Sequence, residues 1–363
     1  MSVHSFISSS NQRLQRLAWK PILIGAFLLF ITFITIMELR LAAKGFHRSV
    51  TDSEMLWLRE RFRASNLGER ALILIGGSRI QLGIDLDVLR QKTELEPVQL
   101  AIDGTPPLPI LESLARDPSI HGTIIVDYYD YFLQSANAND RARSYEDHFK
   151  QVNHHHRMID YEVIESYLTD QLRNSLRSYA DGARPLTSLL TRILVRDATP
   201  QYLVTLRDRS RLADYRLVSM PAFYYGRVIR NLGQEIDFPT NSTYGDVERI
   251  LKEKINQLEP NENAIFINRL DYLESLTQMI QKRGGKVIFV VMPSSGLVRE
   301  IERKRFPRSL FWDYLVKRTS AKTIHFEDFP SLNYFVCPDG AHLDYRDRVR
   351  FTTALIDVAD LGR

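Results

Sequence analysis

Between positions 71 and 129 the chain alternates short, unbroken apolar runs with segments whose apolar side chains recur every three or four residues. ALILIG (71–76), PVQLAI (97–102) and GTIIVDYY (122–129) have the length and composition of strands buried on both faces. The segments between them predict a helix over 86–94 with Asp85 as its N-cap and a proline-opened helix near 108–116. Ahead of the first strand, Thr51 and Glu54 have capping-box spacing, and Met55, Leu58 and Phe62 fall on one helical face. The alternation returns near the C-terminus. NENAIFINRLDYLESLTQMIQKRGG predicts a helix stopped by Gly284-Gly285; KVIFVVMP (286–293) and KTIHFED (322–328) predict strands; a last helix starting near Tyr345 carries Leu355 and Ile356 inward.

Parallel strands need crossover connections, so strands alternating with helices at this spacing predict an α/β fold with a doubly wound parallel sheet. From 133 to 260 the alternation is lost and the segment reads as a mostly helical insertion or cap. At the other end, PILIGAFLLFITFITIM (21–37) has no charge and is long enough to cross a bilayer core. The organisation expected is an N-terminal cytoplasmic segment (1–20), a transmembrane anchor (21–41) and an α/β domain (50–363). Flanking cations are nearly balanced, so the N-in orientation rests on the chemistry that follows the anchor. A cleaved signal peptide is the alternative. Glu38, Leu39 and Arg40 stand where cleavage needs small residues, although LAA at 41–43 keeps that alternative open.

Composition narrows the class. With 363 residues, 44% apolar and 25% charged, the chain is globular, which excludes disorder, collagen and small disulfide scaffolds. Its 48 basic residues face 44 acidic ones, so nucleic acid is not implied as a partner. The one cysteine, Cys337, forms no intramolecular bridge and no metal cluster.

Open parallel sheets bind ligands beyond the carboxyl ends of their strands, and four such places carry chemistry. In Gly76-Gly77-Ser78-Arg79 two glycines permit a sharp turn that leaves a serine hydroxyl exposed; a tight turn with a capping serine is the alternative. In Asp339-Gly340-Ala341-His342 a histidine could deprotonate that serine while the aspartate fixes its tautomer; the alternative is a histidine capping the last helix. Asp103-Gly104 offers a glycine N–H to a developing oxyanion, or is a plain turn. Asp127-Tyr128-Tyr129-Asp130 brings carboxylates and phenols to the end of the third strand, where structural hydrogen bonding also accounts for them.

Together these residues resemble the SGNH, or GDSL-like, hydrolases and acyltransferases: a serine after the first strand (LIGGSR), a glycine after the second (AIDG) and D-x-x-H near the C-terminus (PDGAH), in that family's order. The likeness spans about 70–132 and 262–363, and is narrower still to membrane-anchored bacterial envelope members. It implies a flavodoxin-like fold, with Ser78 as nucleophile and oxyanion donor, Gly104 as second donor, His342 as base and then acid, and Asp339 as its orienter. The family's G-x-N-D after the third strand is absent here, replaced by VDYYD. Losing one oxyanion donor costs on the order of 3 kcal/mol of transition-state stabilisation. Tyr128 or Tyr129 is the candidate substitute; Arg79, Asp103, Asp127, Tyr128 and Tyr129 are candidate substrate-binding groups, with a surface salt bridge the alternative role for Arg79.

Other chemistries lack their parts. Gly76 to Gly83 does not form G-x-G-x-x-G, and no G-K-[ST] follows a strand. His154, His155 and His156 are consecutive and cannot all face one ion, so no metal site is assigned. REIERKRFPR (299–308) reads as a solvated helix face that could touch anionic lipid or polysaccharide. The resemblance thus implies a single-pass protein of the bacterial cytoplasmic membrane, its domain outside, performing serine-dependent acyl ester chemistry on an envelope or exported polysaccharide. A membrane acyl-donor partner is compatible with it, and no metal or organic cofactor is required. The competing reading is a degenerate member that binds polysaccharide or scaffolds an acylation complex.

Overall fold

The computed structural model describes residues 19–129, 133, 140–155, 161–180 and 199–362. Helix α1 (Trp19–Ala43) is long and apolar enough to cross a membrane and could anchor the chain in one; of its residues only Met37 and Leu41 are buried. Helix α2 (Glu54–Leu67) follows. Its N-cap is Ser53, whose hydroxyl accepts the Leu56 N–H, not Thr51, whose hydroxyl is taken by Arg173.

The domain then builds β1 (Ala71–Ile75), α3 (Ser78–Gly83), α4 (Leu86–Lys92), β2 (Glu96–Gln99), α5 (Leu108–Arg116) and β3 (Thr123–Asp127), all but the short α3 following the apolar pattern. Asp85 caps α4 by accepting the Asp87 and Val88 N–H groups. The insertion holds α6 (Asp140–His155), α7 (Tyr161–Ser175), a hairpin of β4 (Leu203–Thr205) and β5 (Arg211–Ala213), then α8 (Met220–Leu232) and α9 (Tyr244–Asn256). After α10 (Ala264–Gln281) come β6 (Lys286–Val291), α11 (Gly296–Arg305), α12 (Trp312–Arg318), β7 (Lys322–His325), α13 (Pro330–Asn333) and α14 (Arg348–Ala359). The last helix begins at Arg348, after Tyr345, whose N–H donates to the Ala213 carbonyl of the hairpin.

Five strands form one wholly parallel sheet in the order β2-β1-β3-β6-β7. Counted within the sheet this is 2-1-3-4-5, a doubly wound order whose direction reverses between β1 and β3. Helices α2, α5, α6, α10 and α12 pack together as one set, and α3, α4, α13 and α14 as another, so the apolar strands are covered. Helices α8, α9 and α11 make a separate small core with Ala341.

The hairpin was not visible in the sequence, since three-residue strands are too short to show alternation. Arg209 holds it in place. With φ of +65° at the hairpin turn and its side chain fully buried, Arg209 donates to Asp52 (2.7 Å), the Gln99 carbonyl (2.8 Å) and the Ala101 carbonyl (3.0 Å). The second half of the insertion is thereby fastened across the carboxyl end of β2. Asp130, His156 and the side chains of His154 and His155 lie outside the described residues.

Candidate active site

Strand β1 ends against β3. Gly76 has φ of +145°, and a Cβ there would sit 2.3 Å from Asp127 Cβ, so only glycine lets the two strand ends pass. One residue on, Gly77 runs beside the Thr105 carbonyl of the β2 loop, and Ser78 opens α3. Its side chain is half-buried. The Ser78 hydroxyl oxygen lies 2.8 Å from His342 Nε2, across a separation of 264 positions.

His342 and Asp339 sit on the loop before α14. Gly340 lets that loop turn back, with φ of +83° and no room for a Cβ against Val298. Asp339 is fully buried. Its Oδ1 accepts the Ala341 and His342 N–H groups at 2.9 and 2.8 Å, and its Oδ2 lies 2.8 Å from His342 Nδ1. Burial pushes the Asp339 carboxyl up, but the His342 hydrogen bond, the backbone donors and Arg227 outweigh it and hold the group well below the usual carboxylate range. An ionised carboxylate only accepts, so Nδ1 must carry the proton and Nε2 is left as the acceptor for the serine hydroxyl. Burial also lowers the His342 pKa; Asp339 opposes this, while Arg227 and Arg79 reinforce it. At neutral pH the imidazole is therefore an uncharged base in contact with a hydroxyl.

The insertion supplies three groups that sequence reasoning missed. Arg227 of α8 lies 3.2 Å from Asp339 Oδ2. Tyr215, after the hairpin, is buried near the same carboxylate, and burial together with that charge pushes its phenol up. Arg211 of β5 reaches Asp103 at 2.7 Å. No motif joins these residues to D-x-x-H; only the placement of the hairpin does.

The remaining sequence candidates divide. Asp103 borders the site: its carboxylate lies near Ser78 and His342, and although burial opposes it, Arg211 keeps the group ionised below its ordinary range. Gly104 is exposed with φ of +72°, in the loop that passes Gly77. Asp127 accepts the Gly77 N–H (3.4 Å), its other oxygen is buried without a hydrogen bond, and burial, partly offset by Arg79 and the nearby backbone N–H groups, pushes its carboxyl up to about 6. Arg79 is not a surface ion pair. It is largely buried and bonded to Glu302, which also accepts from Ser294 (2.5 Å) and Arg299 (3.4 Å). The basic run 299–308 is accordingly no plain solvated face: Arg299 clasps Glu327, and Arg305 donates to the Asn231 and Leu232 carbonyls.

Tyr128 leaves the site. Side chains alternate along a strand, so with Asp127 turned toward Gly77, the next residue points to the opposite side. There it is buried edge-on to Phe289 and Trp312 and cannot donate to a substrate beside Ser78. Tyr129 is half-buried against the main core. Cys337 is buried, its thiol pushed up chiefly by that burial and donating to the Pro293 carbonyl, so it is no nucleophile.

No family model matches the chain, and no curated protein is similar to it. The functional reading therefore rests on this geometry.

Proposed function

We propose that the chain is a serine-dependent acyl esterase or O-acyltransferase of the SGNH type. One observation carries the reading: a hydroxyl, an imidazole and a buried carboxylate stand in line at 2.8 and 2.8 Å beyond the carboxyl ends of parallel strands. Ser78 attacks the acyl carbonyl and its proton passes to His342 Nε2. The tetrahedral adduct then expels the alcohol, which takes that proton and leaves an acyl-serine. Water or a sugar hydroxyl attacks the acyl-serine in turn, gives its proton to the same nitrogen, and the serine is restored. The Ser78 and Gly104 N–H groups are the proposed oxyanion donors. With VDYYD in place of the family's G-x-N-D at the end of β3 and Tyr128 turned away, no third donor is assigned, and the acyl transfer proposed is slower for it.

The rest of the reading follows from α1. We place the protein in a bacterial cytoplasmic membrane with the domain outside, where the substrate is an O-acylated envelope or exported polysaccharide and a membrane partner supplies acyl groups if the reaction is transfer. This part rests on analogy.

A scaffold of SGNH descent is the second reading. The observation favouring it is the Asp103 carboxylate beside Ser78, a negative charge close to where an oxyanion would form. Labelling of the full-length protein in detergent by a fluorophosphonate separates the two. The enzyme reading expects one adduct, abolished in Ser78→Ala; absence of labelling together with absence of aryl-acetate turnover overturns it.

A further inference from the structure

Helix α7 is held to the body by one face and bare on the other. On the inner face Asp170 is buried and Arg173 donates to the Thr51 hydroxyl at 2.8 Å. On the outer face Ile164, Leu168 and Leu172 are 51%, 56% and 48% exposed. Residues four apart drift by only about 40° around a helix, so these three form one stripe. Tyr167, about half exposed, borders it.

A separate set of contacts fixes where that stripe lies. The Glu38 carboxylate accepts the Arg177 and Ser178 N–H groups, both at 2.8 Å, and Arg177 Nε donates to the Phe46 carbonyl at 2.9 Å. Glu38 immediately follows the uncharged run 21–37. The carboxyl end of α7 is thus pinned to the point where α1 leaves its apolar stretch, and at about 1.5 Å per residue Leu172 is within ~8 Å of that pin along the chain. Arg40, Lys44 and Arg48, all exposed, follow Glu38 closely in the chain and suit lipid phosphates.

We propose that α7 lies on the bilayer surface, with Ile164, Leu168 and Leu172 entering the boundary between headgroups and acyl chains. An apolar stripe next to a membrane-crossing helix is covered by lipid without any further partner, and lipid burial removes the cost of exposing it to water. The proposal rests on α1 crossing a bilayer and is independent of the ester chemistry.

The test uses full-length protein in phospholipid nanodiscs carrying an acyl-chain nitroxide quencher. An environment-sensitive fluorophore is attached at Leu29→Cys in α1, Leu168→Cys in α7 or Lys252→Cys on exposed α9. Native Cys337 is buried and stays unlabelled. Quenching at positions 29 and 168 several-fold above that at 252 is the expected result, and Ile164→Glu with Leu172→Glu should reduce the signal at 168 at least two-fold. Quenching at 29 with none at 168 overturns the surface placement, whereas no quenching at 29 overturns the anchor itself. Disulfide-linked pairs of the unlabelled Leu168→Cys protein would show the stripe covered by a second copy and would also overturn the proposal.

Discussion

Two clusters of buried charge in this protein have opposite character. At the strand ends, Asp339 is fully buried yet receives two backbone N–H groups, the His342 ring and Arg227, and its carboxyl is held low. Among α2, α5 and α6, Glu146 is almost as buried, but neither of its oxygens makes a well-formed hydrogen bond; Arg61 Nε is 3.8 Å away and itself unsatisfied. Arg61 spends its other donors on Ser65 and Asp117. Burial, only partly offset by Arg61, pushes the Glu146 carboxyl up to about 7. Depth is the same in both places. What differs is the number of donors aimed at the oxygens, and that decides whether a buried carboxylate stays charged and useful to a neighbouring imidazole.

The largest effect expected from breaking this contrast is at Asp339. Asp339→Asn keeps the shape but presents the ring with the wrong tautomer, and should slow fluorophosphonate labelling by roughly 10⁴-fold with an unchanged circular dichroism spectrum. A rate close to that of the unaltered protein would mean that the carboxylate is only structural.

Next in size is the pH dependence of stability. Glu146 is protonated more readily when folded than when unfolded, so its contribution is fully present below the ordinary carboxyl range and is lost as pH rises from there through about 7. The loss amounts to something on the order of 3 kcal/mol. Glu146→Gln should remove that slope, which denaturant unfolding of the detergent-solubilised protein at pH 5 and pH 8 will measure. Equal slopes in the two proteins would show that Glu146 does not titrate in this interval.

The smallest effect expected is at Arg227. The acid limb of the labelling rate should lie below the ordinary histidine value, because burial and the positive charges of Arg227 and Arg79 favour the neutral ring. Arg227→Gln removes one of those charges and should move the limb upward. A downward shift would show that Arg227 acts on the ring mainly through Asp339.

Much of this was legible in the sequence because it is local. Strands β1, β3 and β6 follow from unbroken apolar runs, α4 from Asp85, and the turn at Gly76 from its glycine pair. The capping residue of α2 was misplaced because Ser53 and Thr51 are equally plausible by type, and which hydroxyl is free depends on Arg173, more than a hundred positions away. Tyr128 could have been removed by strand alternation once Asp127 was assigned to the site.

Sequence by itself determined the parallel α/β frame, the apolar N-terminal helix and the identities of Ser78, Asp339 and His342, since side-chain type and near-neighbour spacing are written along the chain. Only the tertiary structure decided that Arg227, Tyr215 and Arg211 come to Asp339 and Asp103, that Arg79 is claimed by Glu302, and that α7 is tied to Glu38. Hydrogen bonds are made or lost over a few tenths of an ångström, and in these cases the partners are far apart in the chain and meet only in the folded structure.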